Sequence, residues 1–400
     1  MDRDSVNKEV LELSDKHKNL LIELPTGFGK SKLALDILKR HIIHLNQEVL
    51  IVVPRLVLID TWKEEFEKWG MRNYLLSITF VTYVSLPKKA DKKWSMVIFD
   101  ECHHLSERCR EALDSFTIDR SILLSATVKN SVKWDLKGTF QNLLSYKIHM
   151  KEAIDNEVLP DPRVFLIPLS LETKLPTELI WKNPKGKDPV VELPWASRWA
   201  GIRQKTYKVR IYCTEWQYYT DLSDQIDFWK RKYMVTRNEA FKNKWLRLAG
   251  ERLKWLSDKK VDLVSRILWL IRGHRTLTFC NSIEQTEELG SYCINSKNKN
   301  STKILEAFNE GRIDHITACN MLNEGMNLVN CQVGIYNNLN SSEIIVKQRL
   351  GRILRHESPV IVIPYYKETR EQELVEKMLE DYNPELITVL NKYEDLLFKL

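Results

Sequence analysis

A glycine-containing loop follows the first strongly apolar run of the chain, Leu20-Leu21-Ile22. The loop reads Leu24-Pro25-Thr26-Gly27-Phe28-Gly29-Lys30-Ser31, and the segment after it spaces its apolar residues as a helix does. A strand, such a loop and a helix together are typical of sites that hold a nucleoside triphosphate, because glycines let backbone N–H groups approach the phosphates. We therefore expect residues 25–31 to bind ATP, with Lys30 on the β- and γ-phosphates and Ser31 on Mg²⁺. Leu24 stands where the general pattern has glycine, so the match is incomplete.

An acidic pair directly follows a second apolar run, Met96–Phe99. Asp100 is placed to make a further contact with Mg²⁺, and Glu101 to polarise the attacking water. Asp100-Glu101-Cys102-His103 alone is weak evidence, since a solvated acidic loop is the usual explanation of such a run. Its position about seventy residues after the phosphate loop makes the catalytic interpretation strong.

A basic run near the end of the chain reads Gln348-Arg349-Leu350-Gly351-Arg352-Ile353-Leu354-Arg355. Arg352 and Arg355 are three residues apart, so on a helix they share one face. Two guanidinium groups there can stabilise charge on a transferring phosphoryl group. The alternative is a basic helix on the surface.

Composition and charge narrow the class of protein. The 400 residues suggest two or three domains. No apolar run approaches the ~20 residues of a membrane span, so we expect no membrane partner. The seven cysteines form no C-x-x-C pair, and the first residues lack the layout of a signal peptide, which favours the cytoplasm of a bacterium or a phage-infected host. Residues 195–260 carry sixteen Lys and Arg against seven Asp and Glu, which indicates an anionic partner.

Apolar runs alternate with helical patterns in two parts of the chain, separated by a basic, Trp-rich stretch. This alternation predicts an α/β fold with two doubly wound parallel sheets. We place the first domain at residues 1–167 and a connector with a helical insert at 168–258. The second domain spans 259–366, and a helical, acidic C-terminal appendage spans 367–400. We expect most tryptophans of the insert, Trp195 and Trp199 among them, to be core anchors of helices.

The motifs together resemble a superfamily 2 helicase or translocase, which implies two RecA-like domains with ATP bound between them. Besides the three motifs above, the matching segments are Val52–Leu56, Phe80–Leu86, Ser125-Ala126-Thr127, Leu277–Ser282 and Leu322–Leu328. They occur in the order of the family. Motif V departs from it, because Asn327 stands where the family usually has Asp.

The resemblance implies a role for each matching residue. Asp100, Glu101, Lys30, Gln348, Arg352 and Arg355 would be catalytic, and Gly325 would help to bind the nucleotide. His103, Ser125 and Thr127 would couple hydrolysis to movement. Arg55 and Thr82 would contact nucleic acid.

A further segment, Lys151–Asp155 with Leu159-Pro160, resembles one that closes the first domain of restriction motors and phage recombination helicases. We therefore expect a DNA helicase that acts on single-stranded, forked or duplex DNA, with RNA disfavoured. Two alternatives stay open. One is a Swi/Snf-type duplex translocase that does not separate strands. The other is an ATPase switch that binds a protein partner through its acidic C-terminal segment.

Overall fold

The computed structural model describes residues 2–42, 44, 47–89, 92–182, 209–319, 328–339, 353, 356–380 and 382–400. The chain divides into two compact units. The first contains residues 1–167, 260–365 and 373–400, and the second contains residues 168–259 and 366–372. In the described residues, no helix is both long enough and apolar enough to cross a bilayer.

The first part of the chain forms a six-stranded parallel sheet. Its strands and helices are, in order, α1 (Arg3–Lys16), β1 (Asn19–Glu23), α2 (Lys30–His41), β2 (Val49–Val53), α3 (Val57–Lys68), β3 (Ile78–Thr82), β4 (Lys93–Trp94), β5 (Met96–Phe99), α4 (Glu107–Leu113), β6 (Thr117–Ile118), β7 (Ser121–Ser125), α5 (Asn130–Thr139), β8 (Leu144–Lys147) and α6 (Met150–Asp155). The strand order is β3-β2-β5-β7-β1-β8, and β4 pairs separately with β6. Every described residue of β2, β5 and β7 is buried, as expected for parallel strands covered on both faces.

A seven-stranded sheet forms from later parts of the chain. It contains β9 (Arg163–Leu169), β12 (Thr276–Phe279), β13 (Cys293–Ile294), β14 (His315–Ala318), β15 (Val333–Tyr336), β16 (Val360–Tyr366) and β17 (Ile387–Val389), in the order β13-β14-β12-β15-β16-β9-β17. Its helices are α9 (Val261–Leu270), α10 (Ile283–Leu289), α11 (Ser301–Asn309) and α12 (Arg370–Leu379). The pairs β13–β14, β14–β12, β12–β15, β15–β16 and β9–β17 are parallel. The predicted fold class, α/β with two parallel sheets, is confirmed.

The second unit contains a β-ribbon and a helical hairpin. The ribbon pairs β10 (Glu178–Lys182) with β11 (Val209–Cys213), and the hairpin consists of α7 (Glu215–Thr236) and α8 (Glu239–Asp258). Thr214 begins α7 with a capping box, because its hydroxyl accepts from Gln217 N and the Gln217 side chain accepts from Thr214 N. Trp229 and Trp245 pack against the buried Leu222, Ile226 and Leu248, in line with the expected role of core anchors. Trp195 and Trp199 lie outside the described residues.

Two local expectations were wrong. The sequence places the run Val164–Ile167 in the first domain, but it forms part of β9, which lies in the second sheet between β16 and β17. A buried apolar run fits either sheet, because its composition does not identify its neighbours. The helical pattern expected beyond α12 is instead the strand β17 between two short 3₁₀ segments, Pro384–Leu386 and Tyr393–Phe398.

Candidate active site

The phosphate loop lies between β1 and α2, as its sequence predicts. Leu24 N donates to Ser125 O over 3.1 Å, which joins the start of the loop to the end of β7. Gly27 and Gly29 have φ angles of 90° and 107°, in the region that L residues with a side chain rarely adopt. Gly29 precedes the first residue of α2, so the turn directs the free N–H groups of the helix toward the loop.

The polar side chains of the loop surround a cavity of about 950 Å³, which Thr26, Lys30, Ser31, Asp100 and Glu101 all line. Lys30 Nζ donates to Leu24 O over 3.1 Å. The Thr26 hydroxyl is buried and has no hydrogen-bond partner among the described residues. A buried hydroxyl without a partner costs free energy unless a bound group completes it, so this side of the cavity suits a polar ligand.

Asp100 follows β5 and is half-buried at the wall of the cavity. Trp62 Nε1 donates to Asp100 Oδ2 over 3.0 Å, and the Tyr83 hydroxyl donates to Asp100 O over 2.7 Å. Enclosure of the carboxyl raises the pKa of Asp100 to about 6, and the Glu101 carboxylate adds to this. The Trp62 hydrogen bond and the Lys30 ammonium act in the opposite direction. A bound cation would favour the charged carboxylate, and oxygen ligands such as Asp100 and Ser31 suit a hard divalent metal.

Glu101, His103 and Ser125 form a connected group behind Asp100. His103 Nδ1 lies 3.1 Å from Ser125 Oγ and 3.4 Å from Glu101 Oε2. Ser125 Oγ is also 3.4 Å from Glu101 Oε2 and 3.1 Å from Thr127 O. Glu101 has a φ angle of 50°, and such left-handed residues are concentrated at functional sites. The predicted acidic motif and the Ser125–Thr127 motif therefore contact each other directly.

The two predicted nucleic-acid contacts lie at the ends of neighbouring strands, Thr82 as the last residue of β3 and Arg55 just after β2. Val53 pairs with Thr82 at the ends of β2 and β3, and Arg55 comes two residues after Val53. Leu56 and Val84, beside them in the sequence, are 72% and 87% exposed. Arg55 and Thr82 thus lie at the same edge of the sheet.

The remaining predicted site residues cannot be placed. Gly325, Gln348, Arg352 and Arg355 lie outside the described residues. His356 and Glu357, which follow the basic run directly, do line the cavity.

Three residues near the site were missed from the sequence. They are Trp62, Glu23 and Arg3. Trp62 donates a hydrogen bond to Asp100, and Glu23 forms an ion pair with Lys133. Arg3 Nη2 donates to Gly27 O over 3.3 Å and to Val158 O over 3.2 Å. None belongs to a local motif, so the sequence carried no signal for their partners.

Parallel sheets with a phosphate loop and an acidic partner at one cavity are the arrangement of nucleotide-binding α/β proteins. Two family models match the chain: the res subunit of type III restriction enzymes over residues 2–130, and the helicase conserved C-terminal domain over residues 259–357. Both models describe parts of superfamily 2 helicases and translocases, which supports placing the chain in that superfamily. Members of these families use ATP with a divalent metal.

Individual relatives are similar over limited regions. The DNA 3'-5' translocase XPB2 of Sulfurisphaera tokodaii is 38% identical over 102 residues, 22% of this chain and 22% of the relative. The Type I restriction enzyme EcoAI endonuclease subunit of Escherichia coli is 23% identical over 208 residues, 46% of this chain and 25% of the relative. This chain thus matches about a quarter or less of the length of either relative.

The fold is similar to that of S. cerevisiae Dbp5 bound to RNA and ADP BeF3, with a TM-score of 0.59 at 11% identity. The similarity covers 96% of this chain and 89% of Dbp5. At this identity it supports the fold with two RecA-like domains and no finer property.

Proposed function

We propose that the chain is a DNA helicase that hydrolyses ATP with Mg²⁺ at the cavity between the phosphate loop and Asp100. The observation that carries this proposal is the meeting of Lys30, Ser31, Asp100 and Glu101 at one cavity. These residue types are the ones that phosphoryl transfer needs: a cation on the phosphates, oxygen ligands for a metal and a carboxylate for water.

Each side chain has one task in the proposed reaction. Lys30 and the N–H groups of the loop bind the phosphates, and Ser31 and Asp100 hold the metal. When bound, Mg²⁺ would neutralise charge on the β- and γ-phosphates. Glu101 orients the attacking water and accepts its proton as the bond between the γ-phosphorus and the bridging oxygen breaks.

Contacts between Glu101, His103 and Ser125 connect the site of hydrolysis to the end of β7. A change of charge at Glu101 alters the hydrogen bonds at Ser125, which begins the segment that leads into α5. We propose that His103, Ser125 and Thr127 couple hydrolysis to movement in this way, and that Arg55 and Thr82 contact the strand on which the protein moves.

DNA is the proposed track because the names of both sequence relatives, a DNA translocase and a restriction enzyme subunit, point to DNA. The translocase name also favours the second candidate, a duplex translocase that leaves the strands paired. The protein should contact DNA mainly through its phosphates, since a motor that moves along DNA has to pass over every base sequence.

Two displacement assays separate these candidates. On a forked duplex with one labelled strand, a helicase releases that strand in the presence of ATP. On a blunt duplex that carries a third, triplex-forming strand, a duplex translocase displaces only the third strand. The proposal predicts release from the DNA fork, none from an RNA fork, and none by Lys30→Ala. Third-strand displacement without fork unwinding would support the second candidate, and no displacement of either kind would contradict both.

A further inference from the structure

The far end of the α7–α8 hairpin concentrates positive charge. We define the hairpin tip as residues 228–247, which include the last two turns of α7, the connection and the first half of α8. It contains seven Lys and Arg, namely Lys230, Arg231, Lys232, Arg237, Lys242, Lys244 and Arg247, and one acidic residue, Glu239.

Partly buried aromatic side chains join the two helices of the tip. Trp229 lies 5.4 Å from Phe241 and Tyr233 lies 6.1 Å from Trp245, centroid to centroid, so both ring pairs join α7 to α8. The Lys232 ammonium is 4.6 Å from the Phe228 ring and 5.4 Å from the Trp229 ring. The ring contacts between the helices and the ammonium–ring contacts restrict the positions of the cations, so the charged surface of the tip is preorganised.

Acidic neighbours offset only part of this charge. Lys242 pairs with Glu239 over 3.1 Å, and Arg247 with Glu251 over 3.5 Å. Lys230, Arg231, Lys232, Arg237 and Lys244 form no ion pair within the part of the chain that the structure describes.

Helix stability does not explain most of the charges either. Arg237 is the C-cap of α7, where the helix dipole favours a cation, but no basic residue lies in the last turn itself. Lys242 and Lys244 lie near the N-terminus of α8, the positive end of its dipole. Like charges at this density repel one another and destabilise the folded tip unless an anion binds.

We propose that the hairpin tip is a binding site for the phosphate backbone of nucleic acid, separate from the contacts of the two sheets. The inference rests on the proposed function for the identity of the ligand. The exposed Lys230, Arg231 and Lys232 bind phosphates without reading sequence. Val235, 85% exposed beside these cations, and the half-exposed Met234 offer an apolar contact to bases at an opened end.

The salt dependence of binding tests this site in the full chain. The tip variant carries Lys230→Gln, Arg231→Gln and Lys232→Gln. The control variant loses the same charge at three exposed lysines of the acidic C-terminal part, Lys377→Gln, Lys392→Gln and Lys399→Gln. Circular dichroism and thermal unfolding first establish that both variants keep the fold. Affinity for a short fluorescent DNA duplex and for one of its single strands is then measured by anisotropy at a series of salt concentrations, without ATP.

The slope of log K against log salt is negative, and loss of three phosphate contacts reduces its magnitude by about 2 to 3. The proposal predicts this change for the tip variant and none for the control. Equal slopes for the tip variant, the control and the unmodified chain would overturn it. A tip that instead binds phosphatidylserine vesicles, with DNA affinity unaffected by the variant, would also overturn it and identify a membrane surface.

The test of the tip site is independent of ATP hydrolysis. The binding assay contains no ATP, so the salt slope is measured whether or not the chain hydrolyses ATP. A chain without any ATPase activity but with a tip-dependent slope would refute the proposed function and leave the tip site standing.

Discussion

Ser125 Oγ lies 3.1 Å from His103 Nδ1, so the end of β7 is hydrogen-bonded to the acidic motif that follows β5. The serine hydroxyl carries one proton, for which Glu101 Oε2 at 3.4 Å and Thr127 O at 3.1 Å compete. Its choice of acceptor therefore depends on the charge of Glu101. This choice of acceptor is the basis of the coupling role proposed for Ser125, as a positioning residue that responds to the state of the nucleotide site.

Ser125→Ala should separate hydrolysis from movement. The variant removes the hydroxyl but leaves Lys30, Asp100 and Glu101 in place, so ATP hydrolysis should stay within about twofold of the unmodified chain. A lost hydrogen bond of about 1 kcal/mol changes the balance of two states by about fivefold. The DNA displaced per ATP hydrolysed should fall by about that factor. Ser121→Ala, at the buried start of the same strand, is the matched control. Equal losses of hydrolysis and displacement would contradict the coupling role.

Asp100→Asn should stabilise the protein in the absence of metal. Burial raises the pKa of Asp100 from 3.8 to about 6, so its charged form destabilises the fold above pH 6 and the effect disappears below about pH 4. In urea unfolding with EDTA, the free energy of unfolding of the variant should exceed that of the unmodified chain by about 3 kcal/mol at pH 8. The difference should shrink as the pH falls from 6 to 4. A difference that does not change with pH would show that Asp100 titrates normally.

Lys133→Met should destabilise the fold although Lys133 is not one of the predicted site residues. Lys133 Nζ lies 2.5 Å from Glu23 Oε1, and Glu23 is 1% exposed at the end of β1, directly before the phosphate loop. Removing one partner of a buried pair leaves an unpaired charge and costs about 3 kcal/mol.

In urea unfolding, the double variant Glu23→Gln, Lys133→Met should regain most of the free energy of unfolding that Lys133→Met alone loses. Lys129→Met, an exposed residue one turn earlier, should change stability by less than about 0.5 kcal/mol. If Lys133→Met changed the free energy of unfolding as little as Lys129→Met does, the ion pair between Lys133 and Glu23 would contribute nothing to stability.

Gly29→Ala should weaken ATP binding through the backbone alone. A Cβ at Gly29 would meet no atom within 4 Å, but the φ angle of 107° is strained for alanine. Gly273 is the matched control, with a φ angle of 93° and equally open surroundings. Both variants should lose about 1 to 2 kcal/mol of stability, and only Gly29→Ala should lose ATP affinity in calorimetry. Unchanged ATP affinity would argue against phosphate binding at this turn.

Local sequence was sufficient for the elements that define the fold class. The buried runs that became β1, β2, β5 and β7 are each continuous and apolar, and the phosphate loop has its own glycines. These features depend on neighbours in the chain, so the sequence could predict them.

Long-range partners could not be predicted in the same way. Trp62 and Asp100 are 38 positions apart, and only the order of the strands brings α3 over the end of β5. The same limit misplaced β9, since a run such as Val164–Ile167 packs equally well in either sheet until its partners are known. The roles of the predicted site residues stay predictions.

ATP hydrolysis by the purified chain tests the central claim most directly. It is measured with no polymer, single-stranded DNA, duplex DNA, forked DNA and RNA, for the unmodified chain, Lys30→Ala and the control Lys39→Ala on the exposed end of α2. The account predicts hydrolysis that DNA stimulates, that Lys30→Ala abolishes and that Lys39→Ala retains. Hydrolysis indifferent to every polymer would contradict a DNA motor and favour a switch with a protein partner. Full activity of Lys30→Ala would contradict the assigned site itself.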